Sequence, residues 1–155
     1  MGVEIERKFL VDKEKWKHII PHKQAHIQQA YILKDENKTI RVRIKEQNGY
    51  LTIKGKTKGF SRLEFEYPIP LQDAQDLIHS FASASINKIR NYITFEDKLW
   101  EIDEFLDDNL GLILAEIELV SELEQFSLPP WILEEVTSDK RYFNSYLSSH
   151  PYNTW

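Results

Sequence analysis

Glu4-Ile5-Glu6-Arg7-Lys8-Phe9-Leu10-Val11 is the stretch on which the reading of this chain turns. From Val3 to Val11 it reads as a β-strand, which puts Glu4, Glu6 and Lys8 on one face, about 6.5–7 Å between successive positions. Two carboxylates that close repel by about 2–3 kcal/mol at an effective dielectric near 20. A hard divalent cation with oxygen ligands is the economical way to hold them together. A single charged strand is ordinary, because a strand with one face in water carries the same alternation. The weight lies in its recurrence.

Working outward, the same period-two rule sorts every later strand. Arg41 and Arg43 oppose Ile40, Val42 and Ile44 within Thr39–Glu46. Thr52 and Lys54 oppose Leu51 and Ile53 within Tyr50–Lys56, and Arg62, Glu64 and Glu66 oppose Leu63, Phe65 and Tyr67 within Arg62–Ile69. Lys88 and Arg90 share a parity in Ile86–Ile93, as do Glu101 and Asp103 in Lys98–Phe105, and Glu116 and Glu118 in Leu112–Val120. Like charges come in doublets, which destabilise an empty face. Basic doublets match phosphate oxygens. Acidic doublets match Mg²⁺ or Mn²⁺, and a metal–polyphosphate complex satisfies both signs.

With Val3–Val11 and His26–Leu33 these segments make eight short strands in mostly adjacent order. That predicts a mainly β (α+β) fold: an eight-stranded antiparallel barrel with a charged tunnel inside and short helices packed outside. The helices are expected over Lys13–Ile20, over Leu71–Phe81 with Leu71, Ala74, Leu77, Ile78 and Phe81 on one face, and over about Arg141–Leu147. Gln47-Asn48-Gly49 is read as a hairpin turn, and Pro129-Pro130-Trp131 as a break.

Composition bounds the rest. The 155 residues suit one domain, and a net charge of −5 argues against general binding to a nucleic-acid duplex. No cysteine is present, which excludes disulfides and thiolate metal sites. No apolar run is long enough to span a membrane, so a cytoplasmic protein, monomer or homodimer, is expected. Met1-Gly2 is not a myristoylation signal, because Glu6 stands where Ser or Thr is required. Lys54-Gly55-Lys56 lacks the upstream glycine of a P-loop. His18, His22 and His26 form no ligand pattern, and Trp16, Trp100, Trp131 and Trp155 are scattered.

The order and spacing of the opening run, Gln29-Ala30-Tyr31, Arg41-Val42-Arg43, Leu51-Thr52-Ile53-Lys54, Ser61 to Glu66, Lys88-Ile89-Arg90, Glu101-Ile102-Asp103, Ala115 to Glu118 and Val136 to Tyr142 resemble the CYTH domains, or triphosphate tunnel metalloenzymes. The resemblance covers essentially the whole chain and is strongest to the compact bacterial members that hydrolyse inorganic tripolyphosphate. It implies a tunnel enzyme acting on a small triphosphate or polyphosphate substrate with Mg²⁺ or Mn²⁺. It further implies that Lys8, Tyr31, Arg41, Arg43, Lys54, Arg62, Lys88, Arg90 and Lys140 bind phosphate, and that Glu4, Glu6, Glu116 and Glu118 hold the metal. Glu64, Glu66 and Asp103 are expected to serve a second metal or to orient the attacking water, with Lys8 also at the reacting centre. Three rivals share the chemistry: a class IV-type adenylyl cyclase, a thiamine triphosphatase, and a polyphosphate-binding module without turnover.

Overall fold

A computed structural model describes residues 2–155. Strand β1 (Gly2–Val11) leads into helix α1 (Lys13–Trp16), where the Asp12 carboxylate accepts from the N–H groups of Glu14 and Lys15. Strands β2 (Lys23–Lys34), β3 (Lys38–Lys45), β4 (Asn48–Gly55) and β5 (Ser61–Ile69) follow, then helix α2 (Leu71–Phe81). Strands β6 (Ser85–Phe95), β7 (Lys98–Phe105), β8 (Ile113–Glu118) and β9 (Ile132–Glu135) precede a short helix α3 (Asn144–Leu147). The strand order β5-β4-β3-β2-β6-β7-β8-β1, with β1 pairing back onto β5, closes an eight-stranded barrel. Every pairing is antiparallel. β9 lies outside that ring, against β1.

The barrel is inverted, with charges within and apolar side chains on its outer wall. One core cluster on that wall gathers Phe9, Val11, Trp16, Trp100, Ile102, Ala115, Ile117, Leu119 and Trp131. Trp100, Trp131 and Trp16 meet edge to face in series, at 5.9 and 5.4 Å. Three of the four tryptophans thus converge, although nothing in their spacing announces it. A second cluster joins Ile86, Phe105, Leu112, Leu114, Val136 and Leu147. On the opposite wall α2 covers β3 and β4.

Several local expectations are corrected. The β3–β4 turn is Glu46-Gln47, with Lys45 opposite Asn48, and Asn48-Gly49 belongs to the strand. Glu46 takes the positive φ of 55° and is pinned to β2, its N–H donating to the His26 carbonyl and its carboxylate accepting from the His26 N–H. Gly49 serves α2 instead: a Cβ there would lie 2.9 Å from the Ala74 Cβ and 3.0 Å from the Ile69 carbonyl oxygen. Helix α1 stops at Trp16 rather than Ile20, because the next amides, His18 and Ile19, make tighter bonds to Lys15 and Trp16 before Pro21. Phe81, expected on the buried face of α2, is 67% exposed. The helix expected over Arg141–Leu147 is two pieces, broken where Phe143 is extended and lays its ring by the tunnel. β9 was not expected, since its few residues include Glu134 and Glu135 and carry little strand signal. Among the described residues no helix is long and apolar enough to cross a membrane.

Gly49→Ala should destabilise the fold by about 1–3 kcal/mol, as an overpacked contact does. Urea unfolding of the variant against the parent, read at constant m-value, measures it.

Candidate active site

The barrel encloses a polar cavity of about 530 Å³. Its wall carries Glu4, Glu6 and Lys8 from β1, Tyr31 from β2, Arg41 and Arg43 from β3, and Lys54 from β4. It also carries Arg62, Glu64 and Glu66 from β5, Lys88 and Arg90 from β6, and Glu116 and Glu118 from β8. Fourteen of the sixteen residues singled out from the sequence therefore converge on one cavity. Period two is the cause: each strand turns its charged parity inward, and closure makes the inward faces meet.

Two residues stand apart. Lys140 is exposed on a single helical turn (Lys140–Tyr142) and does not line the cavity. Asp103 is fully buried behind the wall, and its oxygens take Lys88 Nζ at 2.7 Å and Arg90 Nε and Nη2 at 2.8 Å each. That leaves it aiming two bases, without an oxygen free for water or a second metal. Burial opposes its charge, yet Arg90 and Lys88 hold its carboxyl below the ordinary value of 3.8.

Acids and bases otherwise pair across the lumen. Glu4 accepts from Lys54 at 2.8 Å and from Arg62 at 3.2 Å. Glu116 lies 3.6 Å from Lys8 and 3.5 Å from Arg90, which also reaches Glu101 at 2.8 Å. Arg41 donates to Thr52 at 3.2 Å, and the Thr52 hydroxyl donates to Glu66 at 2.9 Å. Burial opposes the charge of Glu116, but Lys8, Arg90 and Lys88 hold its carboxyl well below the usual carboxylate range. Lys88 moves the other way, pushed down to about 7 by burial and by neighbouring Arg90.

Among the described residues Glu6, Glu64 and Glu118 make no ion pair within 4.0 Å, and neither does Arg43. Glu6 sits directly opposite Glu118 in the β1–β8 register. Burial, with Glu116 and Glu4 beside it, pushes the Glu6 carboxyl well up, and burial, with a hydrogen bond shared with Glu4, raises Glu64 to about 7. Carboxylates crowded in this way are relieved by a proton or by a cation. The donors are all carboxylate oxygens, which suits Mg²⁺ or Mn²⁺. Among the described residues no three acids or histidines form a ready-made cage. Mg²⁺ is ordinarily held by one or two carboxylates together with substrate phosphates, so the donor set fits a metal that arrives with its substrate. Arg41 Nε, buried and without a partner, and Arg43, which has no carboxylate partner among the described residues, line the same space as donors for an anion.

Sequence reasoning leaves several lining residues without a role. Glu101 is read on the inward parity of Asp103 but given no part, and Thr39, which shares the parity of Arg41, is passed over. Thr137, Phe143, Asn144 and Ser145 reach the cavity from the tail, where no strand period points. Lys8 Nζ donates to the Tyr142 carbonyl at 3.0 Å, and Lys88 Nζ donates to Asn144 Oδ1 at 3.1 Å, so these bases hold the tail across the barrel.

Comparison with known proteins agrees with this geometry. The family model for the CYTH domain matches residues 2–148. An inorganic triphosphatase of Acetivibrio thermocellus is 44% identical over 156 residues, spanning 100% of this chain and 99% of the relative. An inorganic triphosphatase of Nitrosomonas europaea is 34% identical over 154 residues, spanning 94% and 96%. The crystal structure of an inorganic triphosphatase aligns with a TM-score of 0.65 at 31% identity, covering 96% of this chain and 95% of that one.

Because the native fold lowers the Asp103 carboxyl, its stabilisation is present above the ordinary value of 3.8 and is lost as pH falls through the lower folded value. Asp103→Ala leaves Lys88 and Arg90 buried without their shared partner and should cost about 3–5 kcal/mol at neutral pH. Denaturant unfolding between pH 7 and pH 3 should show the difference between parent and variant shrinking with acidity.

Proposed function

Since the chain belongs to the CYTH domain family, we propose that it is a divalent-metal-dependent triphosphatase of the cytoplasm that hydrolyses inorganic tripolyphosphate to pyrophosphate and orthophosphate. The observation that carries this reading is the composition of the lumen. Inward-facing bases surround Glu6, Glu64 and Glu118, which make no ion pair among the described residues.

Lys8, Arg41, Arg43, Lys54, Arg62, Lys88 and Arg90 grip the non-bridging oxygens of the phosphate chain, with Tyr31 donating from its hydroxyl. Glu4, Glu6, Glu116 and Glu118 would hold Mg²⁺ or Mn²⁺, which would supply neutralisation of phosphate charge. Glu64 and Glu66 orient the attacking water in line with the terminal phosphorus. Little covalent chemistry is asked of the protein, since positioning and charge stabilisation supply most of the acceleration in phosphoryl transfer.

Phosphate release from tripolyphosphate, ATP, thiamine triphosphate and pyrophosphate, each with Mg²⁺ or Mn²⁺, tests the reading. Tripolyphosphate should be the best substrate and should require the metal. Cyclic AMP formation from ATP would replace the hydrolase reading with a cyclase. Tight tripolyphosphate binding without release from any substrate would make the chain a binding module. Glu6→Gln should lower kcat by at least about 100-fold, the scale on which altered metal shells act. Circular dichroism should find its fold unchanged.

A further inference from the structure

Gln29 on β2 has no solvent exposure and stands opposite Arg43 in the β2–β3 register. Its Oε1 accepts from Arg43 Nη2 at 3.0 Å and Nε at 3.2 Å. A guanidinium has donors only, so the amide can be oriented in just one way: oxygen toward Arg43, nitrogen away from it. The nitrogen then donates to the Tyr31 hydroxyl oxygen at 3.3 Å. That oxygen is an acceptor toward Gln29, so the Tyr31 O–H hydrogen is free to be offered elsewhere. Tyr31 and Arg43 both line the cavity.

Charge distinguishes this arrangement from the rest of the tunnel. Each of the other six bases assigned to phosphate has a carboxylate within ion-pair distance. Arg43 alone is matched with a neutral amide. A glutamate at position 29 would offer a bidentate, charge-assisted partner of the same shape and a stronger bond. Stability alone would favour the acid. The amide orients the guanidinium while leaving its positive charge uncompensated.

We propose that Gln29 is a positioning residue for substrate: it aims the Arg43 guanidinium and the Tyr31 hydroxyl at one phosphoryl group and, being neutral, keeps the Arg43 charge available to that group. This rests on the triphosphatase reading. Substrate meets Arg43 and Tyr31, and Gln29 acts through them.

The test compares Gln29→Glu with the parent in steady-state hydrolysis of tripolyphosphate with Mg²⁺, alongside thermal melting. Gln29→Glu should melt at or above the parent temperature yet raise KM by about 10–100-fold, the worth of one charge-assisted hydrogen bond. A residue that merely filled space would leave KM unmoved in Gln29→Met, which keeps the volume and adds no charge. A folded Gln29→Glu with parental KM overturns the proposal and leaves the triphosphatase reading intact, whereas a parent chain without turnover overturns both. If Gln29→Glu does not fold, Gln29→Met and Tyr31→Phe carry the test. Combined, they should raise KM by less than the product of the single effects, because part of the Gln29 effect acts through that hydroxyl. Additive effects overturn the proposal.

Discussion

Buried charge must be answered by opposite charge, and the tunnel is arranged around that constraint. The Lys88–Asp103–Arg90 cluster is its most deeply enclosed instance. From Arg90 the network passes to Glu101 and Glu116 and then to Lys8, joining β6, β7, β8 and β1. A second network, Lys54–Glu4–Arg62, joins β4, β1 and β5. Both end on β1, which therefore links the two halves of the barrel electrostatically as well as through its backbone. Removing one member of such a buried set leaves the others desolvated without compensation. What the pairs leave over, three acids and one arginine, is what a metal and an anion can satisfy.

Filling the interior with charge displaces the hydrophobic core to the outer wall. Trp16, Trp100 and Trp131 pack there under the segment after β8, and Arg7 fastens that segment to β1. Arg7 has the opposite parity to Glu6 and Lys8. Its guanidinium meets the Glu135 carboxylate in two hydrogen bonds of 2.8 and 2.5 Å and lies over the rings of Phe9, Phe60 and Phe126. Glu135 accepts in turn from the Thr137 hydroxyl, which itself accepts from the Lys8 N–H at 3.0 Å. The outer clamp thus reaches the backbone of Lys8, whose side chain lines the tunnel.

Much of the architecture was legible because two-residue periodicity is a local property that survives into the fold. Arg41 and Arg43, or Glu116 and Glu118, need only a strand to share a face. Closure was legible less directly, from doublets that make sense only if they confront one another. What depends on distant partners was hidden. Asn48-Gly49 carries a strong turn signal, but the close approach of Ala74 uses that glycine within the strand. Sequence reasoning groups Asp103 with Glu64 and Glu66, and only the fold shows that two bases occupy both its oxygens. Gln29 shared the parity of Tyr31, yet an uncharged amide draws no attention in a search for charge doublets.

The closing of β1 against both β5 and β8 also sets the order in which the molecule can form. Glu4 pairs with Arg62, and Lys8 pairs with Glu116, so the two edges of one strand wait for partners that lie far from it and from each other along the chain. The hairpins β2–β3, β3–β4 and β6–β7 can assemble locally, but the ring cannot. Loop closure of this span must precede its reward, which is the circumstance that slows folding. Until β8 is made, β1 has an unpaired edge and Lys8 lacks its partner Glu116. During synthesis the first strand made is thus among the last to have both edges paired.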